Sequence, residues 1–275
     1  MLVYLYDKVP KSIRHKIGKS KTLKWFRDLL FRSNGVYRES VVSINRSYLD
    51  YEVSFKFVAS IKDASKAYSK GIENTMLRNS ITLLKRRYSD LSDLSILDVG
   101  ANFGYLSLVW AKSICKTGKV IAFEPSKNVY NTLLKSVKIN ELGDTIHVEN
   151  LAVGNENKSI NLYLDNSTSN VLESSESQLF ETVQMVRIDD YVNTQKLEKC
   201  HLIKIDVDGI EMDILKGSIE TLNRFNPIFI VETNNDVKIV EFFIENKYQV
   251  LDGNLKDYNL NNPLPPNIYC ISKSN

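Results

Sequence analysis

The chain has 275 residues, 43% of them hydrophobic and 25% charged, with a net charge of +3; this composition excludes wholesale disorder and allows one sizeable α/β domain with an appended segment. The charge is uneven, because residues 1–50 hold 11 Lys+Arg against 4 Asp+Glu and leave the remaining 225 residues at −4. Cys115, Cys200 and Cys270 are widely spaced and lack a C-x-x-C pair, which excludes a zinc or dithiol site and fits reduced, buried thiols in a cytoplasmic protein.

No stretch approaches the roughly 20 apolar residues of a membrane span, and no secretory signal is expected at the N-terminus. Residues 8–34 place eight Lys and Arg from Lys8 to Arg27 among Ile13, Ile17, Leu23, Trp25, Phe26, Leu29 and Leu30. This is a basic amphipathic helix, expected to pack on the domain, with peripheral contact to an anionic membrane surface or a partner subunit as its other use. Nucleic-acid binding is not expected, since no such motif occurs and the main domain is acidic. Alternating apolar residues from Val41 to Phe57 predict strands of a small β-rich cap, and Gly71–Tyr88 predicts a helix with basic residues at its end. Glu73 at that helix start is expected at the surface, with the cofactor pocket as the alternative. Residues 1–70 are thus a basic helical and β appendage to a domain at 71–275.

The central stretch is SILDVGANFGYLS, Ser95–Ser107. Ile96, Leu97 and Val99 suit a buried parallel strand, and Leu106, Val109, Trp110 and Ile114 fall on one face of the next helix. Gly100 and Gly104 permit positive φ or close backbone approach where a Cβ would obstruct a ligand. Such a turn holds a nucleotide-like ligand against a helix N-terminus. A second strand, Lys119–Glu124, ends in a carboxylate placed to hold a ribose diol, with Pro125 closing it and a helix at 127–141. A third strand at Ile146–Val153 puts the rim of an adenine pocket around Asn150–Ala152, while His147 reads as a surface or half-buried residue.

Residues 155–190 break the rhythm with segments Ser159–Leu164 and Thr182–Ile188 around a polar run, Asp165–Gln178, which predicts a hairpin excursion. Rhythm resumes with HLIKID and VDGIE, which gather Lys204, Asp206, Asp208 and Glu211 at a strand-to-helix turn. Lys204 and Asp206 share one side of the strand. Asp206 at its end is read as functional, whereas Asp208 and Glu211 could equally be a helix cap and a solvated acid. Pro227–Thr233 is a further buried strand ending in Glu232, and Tyr248–Leu251 and Ile268–Ile271 predict a terminal antiparallel hairpin at a sheet edge. A divalent ion among Asp206, Asp208 and Glu232 is a minor alternative, and no metal site is expected.

Four segments in this order, ILDVGANFGYLSL, VIAFEPS, MVRIDDYV and IKIDVDGIEMDILKG, followed by PIFIVET, resemble the FkbM-type family of class I S-adenosylmethionine-dependent methyltransferases over roughly residues 70–272. The resemblance implies a doubly wound α/β fold, with a seven-stranded, mostly parallel Rossmann-like sheet, helices on both faces and a final antiparallel strand. It implies S-adenosyl-L-methionine as cofactor, with Asp98, Gly100, Asn102 and Gly104 in its turn, Glu124 and the adjoining Pro125 at its ribose, and Ala152 bordering its adenine. It also implies O-methylation of a small-molecule or glycan acceptor, for which Asp206, then Glu211, then Asp208 are the candidate bases. One departure is Asp208, which stands where the family usually carries glutamate. The rivals are a nicotinamide oxidoreductase, disfavoured by GANFG lacking a third glycine, and an inactive cofactor-fold protein binding a glycan or membrane.

Overall fold

The structure, a computed structural model, describes residues 32–33, 36–164, 169–170 and 180–273. Most of the basic 8–34 helix and of the 165–178 run lies outside the described residues, and at Arg32–Ser33 the expected helix is instead a short strand. Along the chain the strands and helices are β1 (Arg32–Ser33), β2 (Val36–Tyr37), β3 (Glu39–Tyr48), β4 (Tyr51–Ser60), α1 (Ile61–Lys70), α2 (Asn74–Arg87), β5 (Ser95–Val99), α3 (Tyr105–Lys112), β6 (Lys119–Phe123), α4 (Lys127–Ile139), β7 (Ile146–Glu149), β8 (Ala152–Gly154), β9 (Lys158–Leu164), β10 (Ser169–Asn170) and β11 (Phe180–Arg187). They continue with α5 (Ile188–Thr194), β12 (Leu202–Ile205), α6 (Glu211–Lys216), α7 (Ile219–Phe225), β13 (Ile228–Glu232), α8 (Lys238–Glu245), β14 (Tyr248–Leu251) and β15 (Asn267–Ser272).

Seven strands form one sheet in the order β14-β15-β13-β12-β5-β6-β7. Its β5, β6, β7, β12 and β13 are parallel, and β15 runs antiparallel to both neighbours. The terminal pair forms the expected antiparallel hairpin at one sheet edge, with β15 between β13 and β14 and β14 outermost.

Period-2 alternation divides the apolar side chains between two cores. Ile96, Val120, Ala122, Leu202 and Ile230 face one core, with α1 to α4 and the β3–β4 hairpin. Leu97, Val99, Ile121, Ile203, Phe229 and Val231 face the other, with α5 to α8. The hairpin is continuous with the first core: Phe57 is fully buried and meets Tyr105 of α3 edge-on, with ring centroids 5.3 Å apart. Trp110, also fully buried, donates its indole N–H to Ser80 on α2 at 3.0 Å.

Several element boundaries differ from the sequence reading, each for a local reason. Helix α1 is additional, and its capping Ser60 accepts from the Asp63 N–H. Gly71 then ends α1 at φ 78°, where a Cβ would lie 2.4 Å from Asn74 Oδ1. The expected third strand splits after Glu149, so that β7 stays in the main sheet while β8 pairs in parallel with β11 in a second sheet, β10-β9-β11-β8. The helix expected from Met212 breaks into α6 and α7 at Gly217, where a Cβ would lie 2.3 Å from Gly154 O. Among the described residues no helix is long and apolar enough to cross a membrane.

Candidate functional site

The turn after β5 is fastened from both sides. The Gly100 and Ala101 N–H groups both donate to Phe123 O, at 3.1 and 2.9 Å, which ties the turn to the end of β6. Gly100 has φ 77°, and a Cβ there would lie 1.9 Å from Asp206 O. Gly104 has the same φ, and its Cβ would lie 2.0 Å from Leu133 on α4. The glycines were expected to clear space for a ligand; the atoms a Cβ would meet are the chain's own, so close internal packing at positive φ is what requires them. Between them Asn102 sits exposed at φ 52°, its Oδ1 accepting from the Phe103 N–H at 2.8 Å.

Glu124 closes the other side of this turn. Only 7% exposed, it accepts the Asn102 N–H on Oε2 and the Ser126 N–H on Oε1, both at 2.9 Å. Burial pushes its carboxyl up to about 7, although the two N–H groups and Lys204 favour the anion. Asn150 braces the strand tip by donating to Glu124 O and Pro125 O at 3.0 and 2.7 Å. Ala152 is carried into the second sheet by the strand split, where it is 3% exposed and packs with Leu162, Val183 and Met185. His147 is exposed, as is Glu73, which starts α2 at φ 47°.

The registers of β5 and β12 set Asp98 beside Lys204 on the same sheet face. Lys204 Nζ lies 3.3 Å from Asp98 Oδ1 and 3.8 Å from Asp206 Oδ2, and it donates to Gly100 O at 2.8 Å. Burial would pull its pKa down, but Asp98, Asp206 and Glu124 more than offset this and hold it above the usual lysine value. Asp98, 1% exposed, accepts from the Ser107 hydroxyl at 2.5 Å and so anchors α3 to β5, while its Oδ1 accepts no hydrogen bond. Lys204 is the cation of the site, and pairing register is the signal that identifies it.

At the next strand ends the acids separate by environment. Asp206 is half-exposed and neighbours Glu232 at the adjacent strand end. Burial and the charges of Asp206, Asp208 and Glu211 raise the Glu232 pKa to about 7. Asp208 is exposed at φ 60°, with its pKa raised by burial and the neighbouring acids. Glu211, an expected base, is 2% exposed and fully engaged: it accepts from the Val207 and Gly209 N–H groups and from Asn234 Nδ2 at 2.8 Å. It therefore holds the 206–210 turn in shape. Among the described residues no group of three or more His, Cys, Asp or Glu is placed to hold a metal ion.

The MVRIDDYV segment has a structural explanation. Asp189, 1% exposed, accepts the Glu220 and Thr221 N–H groups at 3.1 and 2.8 Å and the Thr221 hydroxyl at 2.7 Å. It caps the first turn of α7 from another helix, with Arg187 3.3 Å from its second oxygen.

Residues 98–250 match the family described as the methyltransferase FkbM domain. Among curated proteins, the chain is 24% identical over 147 residues to Methyltransferase 1 of Beauveria bassiana (strain ARSEF 2860), covering 46% of this chain and 58% of that protein. It is 25% identical over 170 residues to Methyltransferase sdnD of Sordaria araneosa, covering 50% of this chain and 65% of that protein. The match spans less than two thirds of either relative. Among solved structures, methyltransferase FkbM from Methylobacillus flagellatus KT aligns with TM-score 0.46 and 16% identity, over 65% of this chain and 44% of that one. The O-methyltransferase from Bacillus cereus in complex with SAH aligns with TM-score 0.44 and 14% identity, over 78% of this chain and 87% of that one.

Proposed function

The chain belongs to the FkbM methyltransferase family, and we propose from this that it transfers the methyl group of S-adenosyl-L-methionine to a hydroxyl oxygen of a sugar, glycan or other small-molecule acceptor. The observation that carries the cofactor assignment is the pairing of the Gly100–Gly104 turn with Glu124. A carboxylate offers about four lone-pair sites, and two of those on Glu124 are taken by backbone N–H groups. The remaining two fit the adjacent hydroxyls of a ribose. The exposed Asn102 amide and the half-buried Pro125 stand next to it. Asp98 supports the turn from beneath through Ser107 and Lys204.

When bound, S-adenosyl-L-methionine supplies a methyl group already activated by a sulfonium, so the protein's tasks are alignment of the acceptor oxygen and removal of its proton. Asp206 suits proton removal, being half-exposed at the strand end with Lys204 nearby to stabilise its charge. Asp206 would accept the proton of the acceptor hydroxyl, with the bound cofactor supplying the methyl group that its oxygen takes up. Asp208 is the second candidate by exposure, while Glu211 keeps its supporting role.

The test is Asp206→Asn, assayed as S-adenosylhomocysteine release over a panel of sugar acceptors. Turnover is expected to fall by about 10²–10⁴-fold, with S-adenosylhomocysteine affinity changed less than a few-fold. Full activity in the variant would overturn the role of Asp206.

A further inference from the structure

Away from the acidic strand ends, a cavity of about 400 Å³ opens between the β3–β4 hairpin and helices α1 and α2. Arg46, Lys70 and Arg78 line it together with Asn45, Ser47 and Asn74, and Tyr48 lies against it; no carboxylate does. We propose that this cavity is a binding site for a small anionic group of the phosphate, sulfate or carboxylate class.

The cations come from three separate elements, so the clustering is a product of the fold rather than of one charged helix face. Arg46 is held in place because its guanidinium donates to Ala67 O and Tyr68 O at the end of α1, at 3.0 and 2.8 Å. Its Nε is buried without a hydrogen-bond partner, and its guanidinium neighbours the Tyr105 hydroxyl. Among the described residues Lys70 and Arg78 form no ion pair, so no carboxylate competes with a ligand for them. Asn45 commits its Oδ1 to Ser54 at 2.7 Å, which leaves its amide N–H groups as donors. The wall is also fixed: Tyr48, 1% exposed, donates to Asn74 Oδ1 at 3.1 Å, and Asn74 Nδ2 donates to Lys70 O at 2.7 Å. Preorganised, charge-assisted donors around an acid-free cavity favour a compact anion over water.

The cavity also touches the other site through one contact. The Tyr48 hydroxyl is 3.0 Å from that of Tyr105, the first residue of α3 after Gly104. An anion here could therefore be free, or the charged end of an organic molecule that extends toward the turn. Binding is read without cofactor or turnover, so its failure would leave the methyl-transfer proposal standing.

The experiment is calorimetric titration of the full chain with inorganic phosphate at constant ionic strength, comparing wild type with the double variant Lys70→Gln/Arg78→Gln. Saturable one-site binding is expected in wild type. At least tenfold weakening is expected in the variant, whose Tm without phosphate should stay within about 2 °C because both side chains are exposed. A hexose 1-phosphate and the neutral hexose distinguish the sources: tighter binding of the sugar phosphate than of phosphate, lost in the variant, assigns the anion to an organic molecule. Equal or weaker binding assigns a free anion. Equal phosphate affinity in wild type and variant, or no saturable binding in wild type, would overturn the site.

Discussion

Glu124 carries the site's most informative titration, because a buried acid with a raised pKa makes stability depend on pH with a defined sign. Between the ordinary value of 4.5 and about 7 the folded chain holds the Glu124 proton while the unfolded chain releases it. Stability from this group is thus fully present below 4.5 and lost as pH rises through about 7, a change of roughly 3 kcal/mol. Glu124→Gln cannot ionise, so the difference in unfolding free energy between variant and wild type should move in favour of the variant by about that amount from pH 4.5 to 8. Urea titrations at the two pH values measure it, and a pH-independent difference would show that folding leaves the Glu124 pKa unshifted. Lys204 makes the complementary case. Lys204→Met strands the Asp98 carboxylate, 1% exposed, without its cation. The expected cost is about 3–5 kcal/mol, and a second change, Asp98→Asn, should recover a large part of it. A loss below about 1 kcal/mol for Lys204→Met alone would contradict the pairing.

At the scale of elements, what the sequence made legible follows from how local each signal is. The strands at Ser95, Lys119, Leu202 and Ile228 are short apolar runs closed by acids or glycines, and each lies where the reading placed it. The split between β7 and β8 falls where Glu149 and Asn150 interrupt the alternation of Ile146 to Val153, but the pairing of the second half with β11, more than 30 residues later, was not legible. The break between α6 and α7 was hidden likewise, since Gly217 is demanded by Gly154 and not by its own neighbours. The candidate site shows the same division. Glu124 and Asp206 are marked by strand ends, whereas the engagement of Glu211 with Asn234, and of Asp189 with α7, needs the fold. Asp189→Ala would leave the Glu220 and Thr221 N–H groups without an acceptor, at an expected cost of about 2–4 kcal/mol in urea unfolding. A loss under about 0.5 kcal/mol would remove the capping role from the MVRIDDYV segment.

For the whole molecule, the composition placed a basic leader before an acidic domain, and the structure shows residues 39–70 packed into the same core as the sheet. Phe57, Ala59, Ala64 and Ala67 are fully buried in that core. Apolar patterning located the hairpin strands but carried no information on the surface they cover. A chain beginning at residue 71 would expose the hairpin-facing sides of α3 and α4, and is expected to lose cooperative thermal unfolding; a single sharp transition in that truncation would show that 71–275 folds as an independent unit.

The central claim is that the Gly100–Gly104 turn and Glu124 together hold S-adenosyl-L-methionine. Its most direct measurement is calorimetric titration of wild type and Glu124→Ala with S-adenosylhomocysteine, with NADH in parallel. Micromolar binding of the thioether nucleoside alone, weakened at least tenfold by the substitution, is the expected result. Binding of NADH instead, or S-adenosylhomocysteine affinity equal in both proteins, would contradict it.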